Sequence, residues 1–97
     1  MIARITTLQV APDRFEENVR RVQENTAPAA KQQSGFKRGL WFADRQSNRV
    51  ISVTLWENEA ALQANEAASS PMRAQMEQTL GAKIVSMEQF EVIGEAS

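Results

Sequence analysis

The side chains that usually carry out catalysis are few in this sequence. Among its 97 residues there is no histidine, no cysteine and no tyrosine. The chain therefore lacks the commonest general base, the thiolate nucleophile and the phenol that can donate a proton or bind a metal. A Ser-His-Asp triad, a zinc site of Cys or His ligands and haem iron held by histidine are all excluded, and any metal would need carboxylate ligands alone.

Charge and composition describe an ordinary globular chain with no bias toward nucleic acid. There are 11 basic and 12 acidic residues, a formal net charge of −1, and 42% of the residues are hydrophobic. The basic pair Arg20 and Arg21 lies between Glu17 and Glu24, so it forms no basic stripe that would bind a phosphate backbone. We expect one domain spanning residues 1–97 and no nucleic-acid partner.

The chain contains no segment typical of targeting or membrane insertion. Its first residues, Met1 to Arg4, do not begin an apolar run of signal-peptide length. No stretch approaches the roughly 18 apolar residues that cross a membrane as a helix. We therefore expect a cytoplasmic protein without a membrane partner.

The beginning of the chain predicts a strand followed by a helix. Residues 2–10 are rich in β-branched side chains and end just before Pro12, which favours a strand. Apolar residues then recur at spacings of four and three, at Phe15, Val19 and Val22. This spacing is typical of a helix with one buried stripe. Pro28 predicts a kink or a restart of that helix after Thr26.

A second strand (Phe36 to Ala43), a polar turn (residues 44–48) and a third strand (Arg49 to Trp56) are predicted next. Side chains of a strand alternate between its two faces, so each strand divides into two sets. In the second strand the sets are Phe36, Arg38, Leu40 and Phe42, and Lys37, Gly39, Trp41 and Ala43. In the third they are Ile51, Val53 and Leu55, and Val50, Ser52, Thr54 and Trp56.

The remainder of the chain predicts two helical stretches and a last strand. Asn58 is placed to cap a helix that runs through residues 59–64, and residues 69–71, Ser-Ser-Pro, interrupt it. The next helix has one apolar side, formed by Met72, Met76 and Leu80. Gly81 ends it, and a strand is predicted over residues 83–93, before a loose tail.

The order strand, helix, strand, strand, helix, strand predicts an α+β, ferredoxin-like βαββαβ fold with a four-stranded antiparallel sheet. Helices cover one face of such a sheet and leave the other bare. A bare face that carried Trp41, or Trp56 together with Val50, would need a cover. The same face of a second copy is the simplest cover, so we expect a homodimer in which two chains share a dimeric α/β barrel.

Two segments of the sequence carry a resemblance to a known family. One is the glycine-led start of the second strand, residues 35–39, with the sequence Gly-Phe-Lys-Arg-Gly. The other is residues 51–62, in which the third strand ends in Trp56 and Glu57 and a helix containing Ala-Leu follows at once. With this pattern the chain resembles the antibiotic biosynthesis monooxygenase domain, of the dimeric α/β-barrel superfamily, over nearly its whole length.

The resemblance implies a homodimer with a pocket in each chain, between sheet and helices. Some members of that family oxidise anthrones or quinols with molecular oxygen and without metal or flavin, whereas others degrade haem. The haem-degrading members use an Asn, a Trp and a His, and the matching positions are Thr6 or Thr7, Asn65, and Gln75 or Met76. Because none of the three residue types is retained, we do not expect haem degradation, and we expect neither a cofactor nor a metal.

A cofactor-free oxygenase has to position its substrate, exclude water and stabilise the substrate anion that passes an electron to oxygen. Trp41 and Trp56 could form an aromatic wall, and Ser52, Thr54 and Asn65 could donate hydrogen bonds. Arg38 or Arg73 could supply the cation. The predicted substrate-binding residues are thus Trp41, Trp56, Asn65, Thr54 and Arg38. Each of these residues could instead have a purely structural role. Trp56 in particular could seal the core where the third strand meets the following helix.

Two functions stay open at this stage. The first is a cofactor-independent monooxygenase acting on an aromatic, anthrone- or quinol-like molecule. Its proton acceptor is undetermined among Glu57, Glu88, a water molecule and the substrate's own ionisation. The second is a non-catalytic small-molecule-binding or stress-response protein built on the same barrel. Oxygen uptake would separate the two, because only the first consumes oxygen.

Overall fold

The computed structural model describes residues 1–67 and 81–96, which contain a four-stranded antiparallel sheet with helices on one face. The strands are β1 (Ile2–Val10), β2 (Phe36–Asp44), β3 (Arg49–Trp56) and β4 (Ala82–Glu91). Their order across the sheet is β2-β3-β1-β4. This confirms the predicted ferredoxin-like α+β fold. The ends of β1 and β3 are those predicted, whereas β4 ends before the expected residue 93, because Ile93 is 94% exposed and pairs with no strand.

A continuous helical segment connects β1 to β2. It consists of a short 3-10 turn (Pro12–Arg14), α1 (Phe15–Arg21), a π-helical turn (Val22–Thr26) and α2 (Ala27–Ala30). Pro28 has no N–H to donate, and its ring crowds the carbonyl four residues earlier. The Ala27 N–H donates to the carbonyl of Val22, five residues earlier. The expected kink at Pro28 is therefore a local widening of the helix rather than a break.

A further helix, α3, follows β3 and is described over residues 59–67. Asn58 caps it as predicted, because its side-chain Oδ1 accepts a hydrogen bond from the Ala61 N–H at 2.9 Å. The predicted interruption at residues 69–71 and the helix with Met72, Met76 and Leu80 lie outside the described residues. Within residues 1–67 and 81–96 no helix is both long and apolar enough to cross a membrane.

Gly35 brings the start of β2 against the start of α3. Its φ is +80°, and a Cβ at this position would lie 2.4 Å from the Cβ of Ala61. Its carbonyl accepts a hydrogen bond from the Glu57 N–H at 2.8 Å. Only glycine meets both demands without strain, since it has no Cβ and adopts positive φ freely. Gly35, the first residue of the segment that resembles the family, therefore allows the start of β2 to lie beside Trp56 and Glu57.

The buried core lies between the sheet and the helices. One cluster contains Val10, Phe15, Val50 and Ala82, with Leu8 and Val19 packed against it. Trp56 is 2% exposed and Leu62 is fully buried, so the junction of β3 and α3 forms the other end of the core. The predicted apolar stripe of the first helix thus holds Phe15 and Val19 against the sheet.

The opposite face of the sheet is apolar and open in the single chain. The large apolar side chains that it exposes include Leu40, Phe42 and Phe90, at 44%, 51% and 48%. Strand pairing places Leu40 beside Val53 and Phe42 beside Ile51, which extends the patch across β3. Neither tryptophan lies here. Trp56 packs into the core and Trp41 points toward the helices, so Leu40, Phe42 and Phe90 are large apolar side chains on this face that need a cover.

Candidate functional site

A cavity of about 490 Å³ lies between the sheet and the helical segment that connects β1 to β2. Its floor consists of side chains on the helix-facing side of β1 and β3. Its roof consists of residues from α1, the π-helical turn and α2. Trp41 of β2, Ile84 of β4, Asn65 of α3 and Gln33 of the turn after α2 complete the lining. The helical segment, α3 and the alternation of side chains along the strands together position the residues that line the cavity.

The floor of the cavity carries hydroxyl groups at neighbouring positions. Antiparallel pairing of β1 with β3 sets Arg4 opposite Thr54 and Thr6 opposite Ser52. Because side chains alternate along a strand, these four residues share one face, and all four line the cavity. A hydroxyl can donate one hydrogen bond and accept others. The floor therefore suits a ligand that presents oxygen atoms.

Trp56 closes one end of this floor. Its indole N–H donates a hydrogen bond to the Thr54 Oγ1 at 3.0 Å. Its ring meets the ring of Phe36 edge to face, with the ring centres 5.4 Å apart and the planes at 78°. With 2% of its surface exposed, Trp56 is a core residue with one side on the cavity. This agrees with the structural role that remained open for it.

Arg4 brings a buried positive charge to the cavity. The residue is 7% exposed, and its guanidinium forms an ion pair with the carboxylate of Glu66 in α3. Burying a charge is costly unless a partner and hydrogen bonds compensate for the lost water. The Glu66 side chain, at 35% exposure, keeps more of its hydration. The ion pair holds α3 against the beginning of β1. It also places a charged group in a cavity lining that is otherwise partly polar and partly apolar.

Four of the five predicted substrate-binding residues line this cavity, namely Trp41, Trp56, Thr54 and Asn65. The fifth, Arg38, does not. Its exposed side chain lines a separate groove of about 630 Å³ between β2 and the helical segment. A β-irregularity between Phe36 and Arg38 shifts the start of β2 in its pairing with β3. Beyond this irregularity Arg38 pairs with Leu55, so it shares the uncovered face with Leu40 and Phe42 and borders the groove at the edge of the sheet.

The other residues named from the sequence are placed as follows. Ser52 lines the cavity. Glu57 and Glu88, the two carboxylates among the candidate proton acceptors, are exposed and do not line it. Arg73, the alternative cation, lies outside the described residues. The described carboxylates nearest to the cavity are Glu24, which lines it, and Glu66, which pairs with Arg4.

Sequence reasoning missed the polar residues that the first helical segment contributes. Asn18, Arg21 and Asn25 all line the cavity. They are separated by three and four residues, so they form a polar stripe next to the apolar stripe of Phe15, Val19 and Val22. Asn18 is buried, and its side-chain amide donates to the carbonyl of Arg14 at 3.0 Å. The signal in the sequence is the spacing of these three polar residues, which places them on one side of the helix.

The positions that correspond to the haem-degrading residues are partly within the cavity. Thr6 and Asn65 line it, but neither side chain is the Asn or Trp of those members. The sequence holds no histidine, cysteine or tyrosine that could ligate haem iron in the third position or elsewhere. In the part of the chain that the structure describes, no group of three or more acidic residues is arranged to hold a metal ion.

Comparison with known proteins gives one family and several related structures. Residues 1–78 match the family model described as antibiotic biosynthesis monooxygenase. No curated protein sequence matches the chain.

Three solved structures illustrate the shared fold. The heme-degrader MhuD of Mycobacterium tuberculosis is 23% identical, with a TM-score of 0.75 and coverage of 100% of both chains. The cofactor-independent oxygenase SnoaB of Streptomyces nogalater, in a mutant form, is 19% identical, with a TM-score of 0.70 over 97% of this chain and 94% of that one. A monooxygenase of Streptomyces coelicolor bound to nanaomycin D is 18% identical, with a TM-score of 0.70 over 99% and 90%. At these identities the similarity establishes the fold alone.

Proposed function

Because the chain belongs to the antibiotic biosynthesis monooxygenase family, whose model matches residues 1–78, we propose that it is a cofactor-independent monooxygenase for an aromatic, anthrone- or quinol-like molecule. One observation carries the proposal. The 490 Å³ cavity combines the indole of Trp41, the hydroxyls of its floor and the guanidinium of Arg4. A flat aromatic ring can pack against the indole while its oxygen atoms meet the polar floor.

The reaction requires little covalent chemistry from the protein. An anthrone loses a proton, and its electron-rich anion reduces molecular oxygen. One oxygen atom becomes the new carbonyl of the quinone, and the other leaves as water with two hydrogens from the substrate. The substrate supplies both electrons that the second oxygen atom requires, so no external reductant is needed. The protein contributes by orienting the substrate, excluding water and stabilising the anion.

Arg4 takes the role of the cation, for which the sequence offered Arg38 or Arg73. A fixed positive charge in a cavity of low polarity stabilises a phenolate or enolate far more than the same charge in water. Arg4 is 7% exposed and lines the cavity, whereas Arg38 is exposed in a different groove. The hydroxyl of Thr54, opposite Arg4 in the sheet, is next to the same spot. Anion stabilisation thus falls to Arg4 assisted by floor hydroxyls.

Oxygen uptake with dithranol, a dihydroxyanthrone, tests this function. The protein should accelerate uptake over the buffer rate, and Arg4→Gln should lower the enzymatic rate by about a hundredfold, as loss of an oxyanion-stabilising group does elsewhere. The double variant Arg4→Gln/Glu66→Gln removes both members of the ion pair, so that no unpaired carboxylate remains, and it should be as slow as Arg4→Gln. Arg49→Gln, on an exposed arginine of the same sheet, is the matched control and should be unaffected. Equal rates for all variants and buffer would refute the proposal.

The homodimer is part of the same proposal. Leu40, Phe42 and Phe90 are each more than 40% exposed on the uncovered sheet face, and half-buried Ile51 and Val53 adjoin them. A contiguous apolar patch of this kind is unfavourable in water. Packing against the same face of a second copy buries it, and leaves the cavity of each chain on the far, helix-covered side of its sheet.

A non-catalytic binding protein is the second candidate, and the Arg4–Glu66 ion pair favours it. The carboxylate already neutralises the guanidinium, so a bound phenol would gain less from Arg4 when it ionises. Neither His nor Tyr is present to move a proton. This candidate predicts saturable quenching of tryptophan fluorescence by dithranol under nitrogen, with no oxygen consumption when air is admitted.

A further inference from the structure

A groove of about 630 Å³ lies beside the cavity, between β2 and the helical segment. Lys31 borders it from the end of α2, and Lys37 and Arg38 border it from β2. Among the described residues that line the groove none is acidic. The remainder of its surface is mostly apolar, with Val22, Ala27 and Phe36 among the contributors. The groove therefore offers three positive charges around an apolar trough.

Trp41 and Val22 are the described residues that line both the groove and the cavity. Trp41 lies in β2, and Val22 is the first residue of the π-helical turn. The two side chains thus stand at the boundary between the two spaces, one from the sheet and one from the helical segment. π-helical turns inside helices are often found at functional sites.

The indole of Trp41 rests on Gly39. A Cβ at residue 39 would lie 2.6 Å from the Cη2 and 2.8 Å from the Cζ3 of the Trp41 ring. Residues 39 and 41 share a face of β2, so a larger side chain at 39 would occupy the place of the ring. The φ of Gly39 is not in the positive range. Gly39 is therefore needed because the indole of Trp41 packs against it, and not because of its backbone conformation.

We propose that the groove is the entrance for the substrate and that Trp41, seated on Gly39, is the gate between the groove and the cavity. The preferred substrate is an aromatic molecule that carries a negative charge, such as a carboxylate or an ionised phenol. The proposal rests on the proposed function, because it assumes that the cavity receives an aromatic ligand. It adds the route, the gating residue and the charge of that ligand.

A charged entrance and a gate change the rates of binding as well as the affinity. Positive charge around an entrance attracts an anion and accelerates its association, and salt screens the effect. A gate slows both entry and exit, so removing it raises the association and dissociation rates together. A residue that is only part of the wall changes the dissociation rate and leaves association almost untouched. Kinetics therefore distinguish a gate from a wall.

The charge is tested with two fluorescent probes of one ring system, the anionic anilinonaphthalene sulfonate and the neutral phenylnaphthylamine, in stopped-flow mixing. At low salt the anionic probe should associate about tenfold faster than the neutral one, and the difference should vanish at high salt. Lys31→Gln/Lys37→Gln/Arg38→Gln should remove the advantage. The matched control, Arg14→Gln/Arg49→Gln/Lys83→Gln, has the same net charge but changes residues that line neither space, and it should keep the advantage.

The gate is tested with two variants that act in opposite directions. Trp41→Ala should raise the association and dissociation rates of both probes severalfold. Gly39→Ala should lower both, because the new methyl group lifts the indole off the sheet toward Val22. Gly94→Ala is the control, since a Cβ there contacts nothing within 4 Å. The two variants together keep the test valid if one of them folds poorly.

The outcomes separate this inference from the function on which it rests. If the probes bind but their association depends neither on salt nor on residues 39 and 41, the entrance is wrong and the cavity stands. If probes bind with gated kinetics and dithranol consumes no oxygen, the entrance is right and the oxygenase is wrong. If neither probe binds, both the entrance and the ligand cavity are refuted.

Discussion

The hydrogen bond between Trp56 and Thr54 links the core to the floor of the cavity. The buried indole N–H needs an acceptor, and the Thr54 Oγ1, two residues earlier on the same face of β3, lies 3.0 Å away. Because this oxygen accepts from the indole, the remaining hydroxyl proton of Thr54 is available to donate to something else. Thr54 lines the cavity, so it can donate to a substrate oxygen.

We expect Thr54→Val to lower both stability and activity. The substitution preserves the shape of the side chain but leaves the indole N–H of Trp56 buried without its acceptor, at a cost of about 1–3 kcal/mol. It also removes a donor from the cavity. Thr26→Val, which also removes a hydroxyl from the cavity lining but at an exposed residue of the π-helical turn, is the matched control and should leave urea unfolding almost unchanged. Equal unfolding free energies for the two variants would show that the bond is not stabilising.

Arg4 shows what a single sequence cannot reveal at the scale of a residue. A lone arginine in a strand is usually exposed, and nothing local marks this one. Its burial follows from Glu66, which lies on α3 and meets it through the fold alone. Arg38, by contrast, belongs to the glycine-led motif but lies outside the cavity.

The hairpin between β2 and β3 is held by Asp44 at its first position. The Asp44 Oδ1 accepts from the N–H of Gln46 at 3.0 Å and from the N–H of Ser47 at 3.4 Å. These bonds, that of Gln46 first, together with the Ser47 hydroxyl, hold the pKa of Asp44 below its ordinary value of 3.8. Next to the hairpin, Arg45 pairs with Glu16 at 3.0 Å and joins the turn to α1.

This lowered pKa gives a prediction about stability and pH. A carboxyl group whose pKa is lower in the folded state stabilises the fold above its unfolded pKa, and the contribution is lost as the pH falls through the folded value. Asp44→Ala should therefore lower the melting temperature at neutral pH, and the difference from the parent protein should shrink below pH 3.8. Asp44→Asn, whose amide oxygen can accept the same bonds, should lie nearer the parent. A difference independent of pH would contradict the assignment.

At the scale of elements, most of the fold follows from periodicity and turn residues. The ends of β1 and β3 agree with the prediction, because strand alternation and Pro12, Asn48 and Asn58 mark them clearly. The π-helical turn at Val22–Thr26 was not predicted. Pro28 signals that a helical hydrogen bond is missing, but whether the helix breaks or widens depends on its packing against the sheet.

The two faces of the sheet could be told apart only in the whole molecule. Both sets of alternating residues in β2 and β3 contain large apolar side chains, so the pattern does not say which set meets the helices. The structure assigns Trp41, Trp56 and Val50 to the helix side. Leu40 and Phe42 are left on the open face, with exposures of 44% and 51%.

Phe42→Glu should convert the proposed dimer into a monomer. A carboxylate at this position would have to enter an apolar contact without a partner, which is strongly unfavourable. Light scattering at micromolar concentration should give the mass of two chains for the parent protein and of one for the variant, with unchanged circular dichroism. Gln32→Glu adds the same charge at an exposed turn and should stay dimeric. A monomeric parent protein would refute the shared barrel.

The central claim is that this chain transfers oxygen to an aromatic substrate without a cofactor. The most direct measurement is mass spectrometry of the product after the purified, metal-free protein acts on dithranol under isotopically labelled oxygen gas. We expect a quinone that carries one labelled oxygen atom, formed faster than in buffer and much more slowly with Arg4→Gln. A product without label, or formation at the buffer rate, would contradict the claim and leave a binding protein as the function of this fold.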